Sequence, residues 1–244
     1  MNSRSLLSRS LVFHGNRPPH LGNERVLHAL RRLTGADVNE NLDIERRGRR
    51  WVLNPSDFVQ GDVFRTGYKD YWDVWHLERL LPANAAIADV GANFGYYAIE
   101  LCLALGPLAR AVAFEPFPAS FARLGRHHLR RNGLEERARP LQLGLSDASG
   151  KAAMAVRGGR SNSGSGQVGT EGTGQHRPLL LVEIDPPRLQ EGGSSADALI
   201  DMLRSLGYRL FQAQRRALVP VGEAGPRALV NVFCMHEGSC RQLA

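Results

Sequence analysis

Between Ala85 and Leu145 the sequence changes period four times, and few folds accommodate that. Ala85 to Val90 is a short apolar run ending in Asp89-Val90-Gly91. Tyr96 to Leu105 has helical spacing and stops at Gly106-Pro107. Arg110 to Phe114 reads as a second strand, Ala119 to Asn132 as a helix closed by Gly133, and Arg139 to Leu145 as a third strand. Strand–helix–strand–helix–strand at this spacing predicts parallel strands with right-handed crossovers, hence an α/β, doubly wound, mostly parallel sheet. Further on, Leu179 to Ile184 is a buried strand and Ala196 to Leu206 a helix with Leu199, Ile200, Leu203 and Leu206 on one face. Tyr208 to Phe211 and Ala228 to Phe233 are the last two strands, with a polar turn region at Arg215-Arg216 between them.

The chain ahead of this core predicts a helix over Glu24–Thr34, closed by Gly35, and a hairpin turning at Gly48 between Asn41–Glu45 and Arg50–Leu53. A helix over Asp73–Leu81, stopped by Pro82, follows. The resulting organisation is a mobile tail over 1–20, a lead-in over 21–82 and a core over 83–236. Residues 157–175, with seven glycines, form a flexible loop inside that core. His127-His128, between arginines, is expected on a solvated helix face.

Composition excludes several classes. No apolar run reaches the ~18 residues a membrane span needs, which points to a soluble, cytoplasmic chain. The three cysteines, Cys102, Cys234 and Cys240, lack C-x-x-C spacing, so neither a disulfide framework nor a zinc site is expected. His236-Glu237 lacks a second ligand pair, so no metal is expected there either. The net charge is +7, and all basic residues but Lys69 and Lys151 are arginines. That charge permits contact with phosphates. No aromatic residues interleave with the arginines, however, so a nucleic-acid partner is not favoured. Asp185-Pro186-Pro187 after a strand resembles an Asp-Pro-Pro-Tyr base-methylating signature, but Arg188 stands where the stacking aromatic would be.

The chemistry concentrates at Asp89-Val90-Gly91-Ala92-Asn93-Phe94-Gly95, which follows a strand and opens a helix. Gly91 and Gly95 allow backbone conformations closed to other residues, and a helix N-terminus offers free N–H donors. In an open parallel sheet, ligands bind at the carboxyl ends of strands. Glu115, twenty residues past Gly95, ends the second strand, where a carboxylate can accept from both hydroxyls of a ribose. The spacing Gly-x-x-x-Gly lacks the second glycine of a dinucleotide fingerprint, and no phosphate loop occurs. The remaining fit is S-adenosyl-L-methionine, whose positive sulfonium suits the acidic strand end at Asp89.

The runs IADVGANFGYYAIEL, AVAFEPFPASFARL, LGLSDASG and SNSGSG, with the upstream LNPSDFVQGDVFRTGYKDY and the downstream RPLLLVEI, resemble the FkbM-like methyltransferases. The resemblance covers about residues 50–235. It implies a class I, Rossmann-like fold and O-methylation of a small-molecule or sugar hydroxyl with S-adenosyl-L-methionine. It also implies that Gly91, Asn93 and Gly95 line the methionine and ribose side of the cofactor, that Asp89 orients the loop or the amino group, and that Glu115 holds the ribose. Ser146 and Asp147 would lie near the adenine, and Tyr68 would close the pocket. No catalytic residue is implied; Glu183 and Asp185 are strand-end positions only. The family's Lys-Ile-Asp-x-Glu-Gly segment is missing, leaving six candidate strands where seven are implied. The alternatives are therefore a truncated, weakly active or inactive member that binds cofactor or a partner, and a nucleic-acid methyltransferase.

Overall fold

The computed structural model describes residues 39–145 and 178–236, with scattered positions before them. Most of the helix expected at Glu24–Thr34 and most of the tail, with the whole loop at 157–175 and the pair Ser146-Asp147, lie outside these described residues. The described chain falls into two compact units. The first runs to Tyr71 and resumes from Leu81 to Gly144; the second holds Trp72–Leu80 and the chain from residue 178 onward.

The first unit opens with the expected hairpin. Strand β1 (Leu42–Arg46) pairs antiparallel with β2 (Arg49–Leu53), Ile44 opposite Trp51. Alternation buries Leu42, Ile44, Trp51 and Leu53. Arg46 occupies the next inward position, where a charge is costly without partners. Its Nε and Nη2 donate to the Phe64 carbonyl at 3.1 and 2.6 Å, tying the hairpin to helix α1 (Phe58–Thr66). That helix starts at Asp57, whose carboxylate accepts from the Val59 and Gln60 N–H groups, and ends at Gly67 with φ +80°.

The core sheet of this unit is β3 (Ala86–Val90), β4 (Arg110–Phe114) and β5 (Ala138–Leu141), in that order and all parallel. Helix α3 (Tyr96–Leu105) links β3 to β4. Arg137 donates to the Cys102 and Gly106 carbonyls and closes the helix's C-terminal end. The second crossover is not the uniform α-helix expected over Ala119–Asn132. It begins as α4 (Pro118–Ala122) and continues as a π-helix over Arg123–Leu129. The register sets Ile87, Ala111 and Ala138 side by side, and next to them Asp89, Ala113 and Pro140. Both crossovers pack on this face: Asp89 bonds the Ala98 N–H of α3, and Gly125 lies against Pro140. On the opposite face Ala86, Ala88 and Val90 are exposed. Successive right-handed crossovers advancing in one direction cover one face only.

The expectation for His127-His128 is half corrected. His127 is exposed, but His128 is fully buried, and it bonds two backbone groups far away in sequence. Asn132 completes the edge of the hairpin: its Oδ1 accepts from Arg50 N and its Nδ2 donates to Arg50 O, each at 2.9 Å. Side chains here satisfy an edge strand that, among the described residues, has no further strand beside it.

The second unit holds α2 (Tyr71–Leu80), apart from its first residue, and an antiparallel sheet. The sheet is built from β6 (Leu180–Ile184), β7 (Tyr208–Gln214), β8 (Ala217–Pro220) and β9 (Val230–His236) in the order β6-β9-β7-β8. Helix α5 (Pro186–Glu191) follows β6, and α6 (Ala196–Ser205) lays Ile200 and Leu203 on Val182, Ile184, Leu210, Val232 and Cys234. The turn region at Arg215-Arg216 is the tip of a hairpin whose return strand, β8, the sequence pattern did not signal. The two strands that flank the missing segment in the chain, β5 and β6, belong to different sheets, and β6 pairs with β9.

Candidate functional site

The loop after β3 is built by its own backbone and one carboxylate. The N–H groups of Gly91 and Ala92 both donate to the Phe114 carbonyl, at 2.9 and 3.0 Å. This folds the bend back over the end of β4. Asn93 then takes φ +51°, a conformation asparagine tolerates better than most residues, and its N–H donates to Glu115 Oε2 at 2.7 Å. Glu115 Oε1 accepts from Phe117 N at 2.8 Å. The carboxylate that ends the second strand therefore faces the bend. Burial raises its pKa, and the Phe117 and Asn93 donors pull it back. Each oxygen keeps lone-pair capacity for one more donor.

The two glycines have different reasons to be glycine. Both have positive φ, +73° at Gly91 and +87° at Gly95. A Cβ on Gly95 would stand 2.3 Å from Leu124 Cδ1, so this glycine exists for close packing against the π-helix. A Cβ on Gly91 would meet nothing within 4 Å. Open space therefore lies beside Gly91, not beside Gly95.

Asp89 sits at the end of β3 with Oδ2 accepting from Ala98 N at 3.0 Å, satisfying a free donor at the start of α3. Desolvation pushes its carboxyl up to about 6. The Ala98 N–H and the Lys69 charge oppose that rise, and Glu115 adds to it. A cation arriving here would relieve a carboxylate held partly out of water.

The lead-in reaches the same place. Tyr68 is half-buried, with the Arg47 guanidinium 4.3 Å from its ring centroid and Tyr71 edge-on at 4.6 Å. Lys69 Nζ pairs with Asp70 Oδ2 at 2.6 Å, and Tyr97 Oη, from the first turn of α3, donates to that same oxygen at 3.0 Å. The sequence reading missed Lys69, Asp70 and Tyr97. Two signals were available: a rare lysine among arginines, and a tyrosine two residues past Gly95.

His128 is the second omission. Its Nδ1–H donates to the Phe94 carbonyl at 2.7 Å, and its Nε2 accepts from Val52 N at 3.0 Å. It thereby locks the loop to the hairpin. Trp51 packs against Phe94, Tyr96 and His128 in the same cluster. Burial holds the imidazole pKa down to about 4, so it is neutral at pH 7.

In the second unit, Glu183 is exposed on β6, while Asp185 caps α5, accepting from Arg188 N and pairing with Arg188 Nε at 3.1 Å. The prolines that follow it occupy the first helical turn, where a missing N–H costs nothing. Among the described residues no set of three His, Cys, Asp or Glu side chains is placed to hold a metal ion, and no helix is long and apolar enough to cross a membrane.

No family model matches the chain, and no curated protein matches it. Among solved structures, the chain is similar to Pyrococcus horikoshii TYW2 in complex with MeSAdo, at 12% identity over 87% of this chain and 81% of that one, TM-score 0.45. It is similar to a SAM-dependent O-methyltransferase of Thermotoga maritima at 13% identity, over 85% and 81%, TM-score 0.41. A third is M. jannaschii TYW2 in complex with AdoMet, at 13% identity, over 80% and 84%, TM-score 0.40.

Proposed function

We propose that this chain is an S-adenosyl-L-methionine-dependent methyltransferase of the FkbM-like kind, acting on a hydroxyl of a small molecule or sugar. The observation that carries the reading is the bend itself: open space at Gly91, with Asn93 held by the carboxylate that ends the neighbouring strand. Gly91 and Asn93 would border the cofactor, Glu115 would accept from its ribose hydroxyls, and Asp89 would face its positive end. The bound cofactor supplies an electrophilic methyl group. The chain's own part is chiefly alignment, a positioning effect. The bend is suited to that because Phe114 O, Glu115 and His128 fix it from three sides.

Calorimetric titration with S-adenosylhomocysteine tests the proposal. Binding in the micromolar range is expected, weakened at least tenfold by Glu115→Ala, which removes one charge-assisted acceptor. Folded protein that gives no heat with this ligand would overturn the reading.

A second reading, a chain that binds cofactor without transferring methyl, is favoured by one observation: among the described residues, β3 is the terminal strand of its sheet. The carboxyl ends of β3 and β4 are present, but among the described residues β3 pairs with a strand on one side only. Methyl transfer to any hydroxyl acceptor would refute this second reading.

A further inference from the structure

The geometry points to Lys69, Asp70 and Tyr97 as the device that reads the amino-acid head of the cofactor, Lys69 taking its carboxylate and Asp70 its ammonium. The inference rests on the proposed cofactor reading and adds to it a recognition element from the lead-in. Three observations support it. First, the three side chains form one cluster. Lys69 Nζ and Tyr97 Oη both meet Asp70 Oδ2, and the Lys69 ammonium also lies 5.7 Å from the Tyr97 ring centroid. Both contacts use the same carboxylate oxygen, Oδ2. Second, the cluster stands at the candidate loop. Tyr97 belongs to the helical turn that Gly95 opens, and the charge of Lys69 is felt at Asp89, at the other end of that loop. Third, Lys69 and Asp70 retain 23% and 28% side-chain exposure, enough for a ligand to reach them.

Charge then selects the ligand. The cluster with Asp89 offers one cation and two anions. A phosphate would meet two carboxylates for a single ammonium and be repelled. A neutral sugar has no use for an ion pair. A zwitterionic amino-acid head presents one anion to Lys69 and one cation to Asp70. The leftover negative charge, on Asp89, matches an adjoining sulfonium. A partly exposed ion pair between sequence neighbours adds only modestly to folding, while Asp70 holds an unfavourable φ of +49°. Fold stability therefore gives a weak account of why the pair is there.

The test compares two probes on the full chain by calorimetry: S-adenosylhomocysteine, which carries the amino-acid head, and 5′-methylthioadenosine, which lacks it. Lys69→Met is expected to weaken the first about ten- to hundredfold, the worth of a charge-assisted bond, and to leave the second within about twofold. Lys69→Arg is expected to restore most of the loss, and Asp70→Asn to repeat the selective weakening. Circular dichroism of each variant confirms folding. Equal weakening of both probes, or none of either, overturns the inference while the cofactor reading stands. If the unaltered chain binds neither probe, the cofactor reading fails and takes this inference with it.

Discussion

Acidifying this protein from pH 7 to pH 4 will remove about 3 kcal/mol of stability through His128 alone. In the folded chain the imidazole is buried, gives its Nδ1 proton to Phe94 O and accepts from Val52 N on Nε2. Protonating Nε2 would destroy that acceptor and place a charge among Trp51, Phe94 and Tyr96. Its folded pKa is accordingly about 4, against about 6.5 unfolded. Between those values the unfolded chain binds more protons than the folded one, so stability falls as pH falls. The contribution is whole above the unfolded pKa and gone once pH drops through the folded one, and at 1.36 kcal/mol per unit it amounts to roughly 3 kcal/mol. Asp89 works in the opposite sense. Its raised pKa makes the folded state gain protons first on acidification, so a wild-type profile alone would blur the two. The clean quantity is the gap between wild type and His128→Gln, which keeps one donor and one acceptor. Urea unfolding should give a gap of about 1–2 kcal/mol at pH 7, falling by about 3 kcal/mol and so reversing sign by pH 4. A gap constant to within about 0.5 kcal/mol would refute the assignment of a neutral, loop-locking imidazole.

The loop glycines should separate in a paired experiment. Gly95→Ala must displace Leu124 and strain a φ of +87°, costing about 2–4 kcal/mol in urea unfolding. Gly91→Ala meets no atom and should cost only about 1 kcal/mol, yet weaken S-adenosylhomocysteine in calorimetry, because its methyl would occupy the proposed ligand space. Affinity for S-adenosyl-L-methionine should rise as pH increases through about 6, since ionised Asp89 favours a cation and protonated Asp89 does not. Calorimetry at pH 5 and pH 7.5 reads this, and Asp89→Asn should flatten the difference.

The elements legible in the sequence were those whose signals are local. The hairpin at 42–53 follows from alternation and Gly48, and α3 from an apolar run between glycines. The placement of Glu115 at the bend follows from strand spacing alone. The features that escaped depend on distant partners or weak propensity. Helix α1 contains Gly61 and three β-branched residues, and its N-terminal Asp57 was the only strong marker. His128 looked solvated because arginines surround it in sequence; its partners, Val52 and Phe94, lie 76 and 34 residues away. The π-helical turn that carries His128 has no distinctive composition. Strand β8 was hidden by its brevity and by the polar hairpin tip before it. The motif pattern names the carboxylates and the glycine bend, which the fold brings next to one another, but not the Lys69–Asp70–Tyr97 cluster. Those residues come together only once α1 and the lead-in have folded.

The most direct test is a crystal structure of the chain soaked with S-adenosylhomocysteine. The predicted result is a ribose whose hydroxyls lie within hydrogen-bond reach of Glu115, with the ligand's sulfur beside Gly91 and the bend between Asp89 and Gly95 essentially unmoved. Ligand density elsewhere on the molecule, with Glu115 still bonded only to Asn93 and Phe117, would contradict the account.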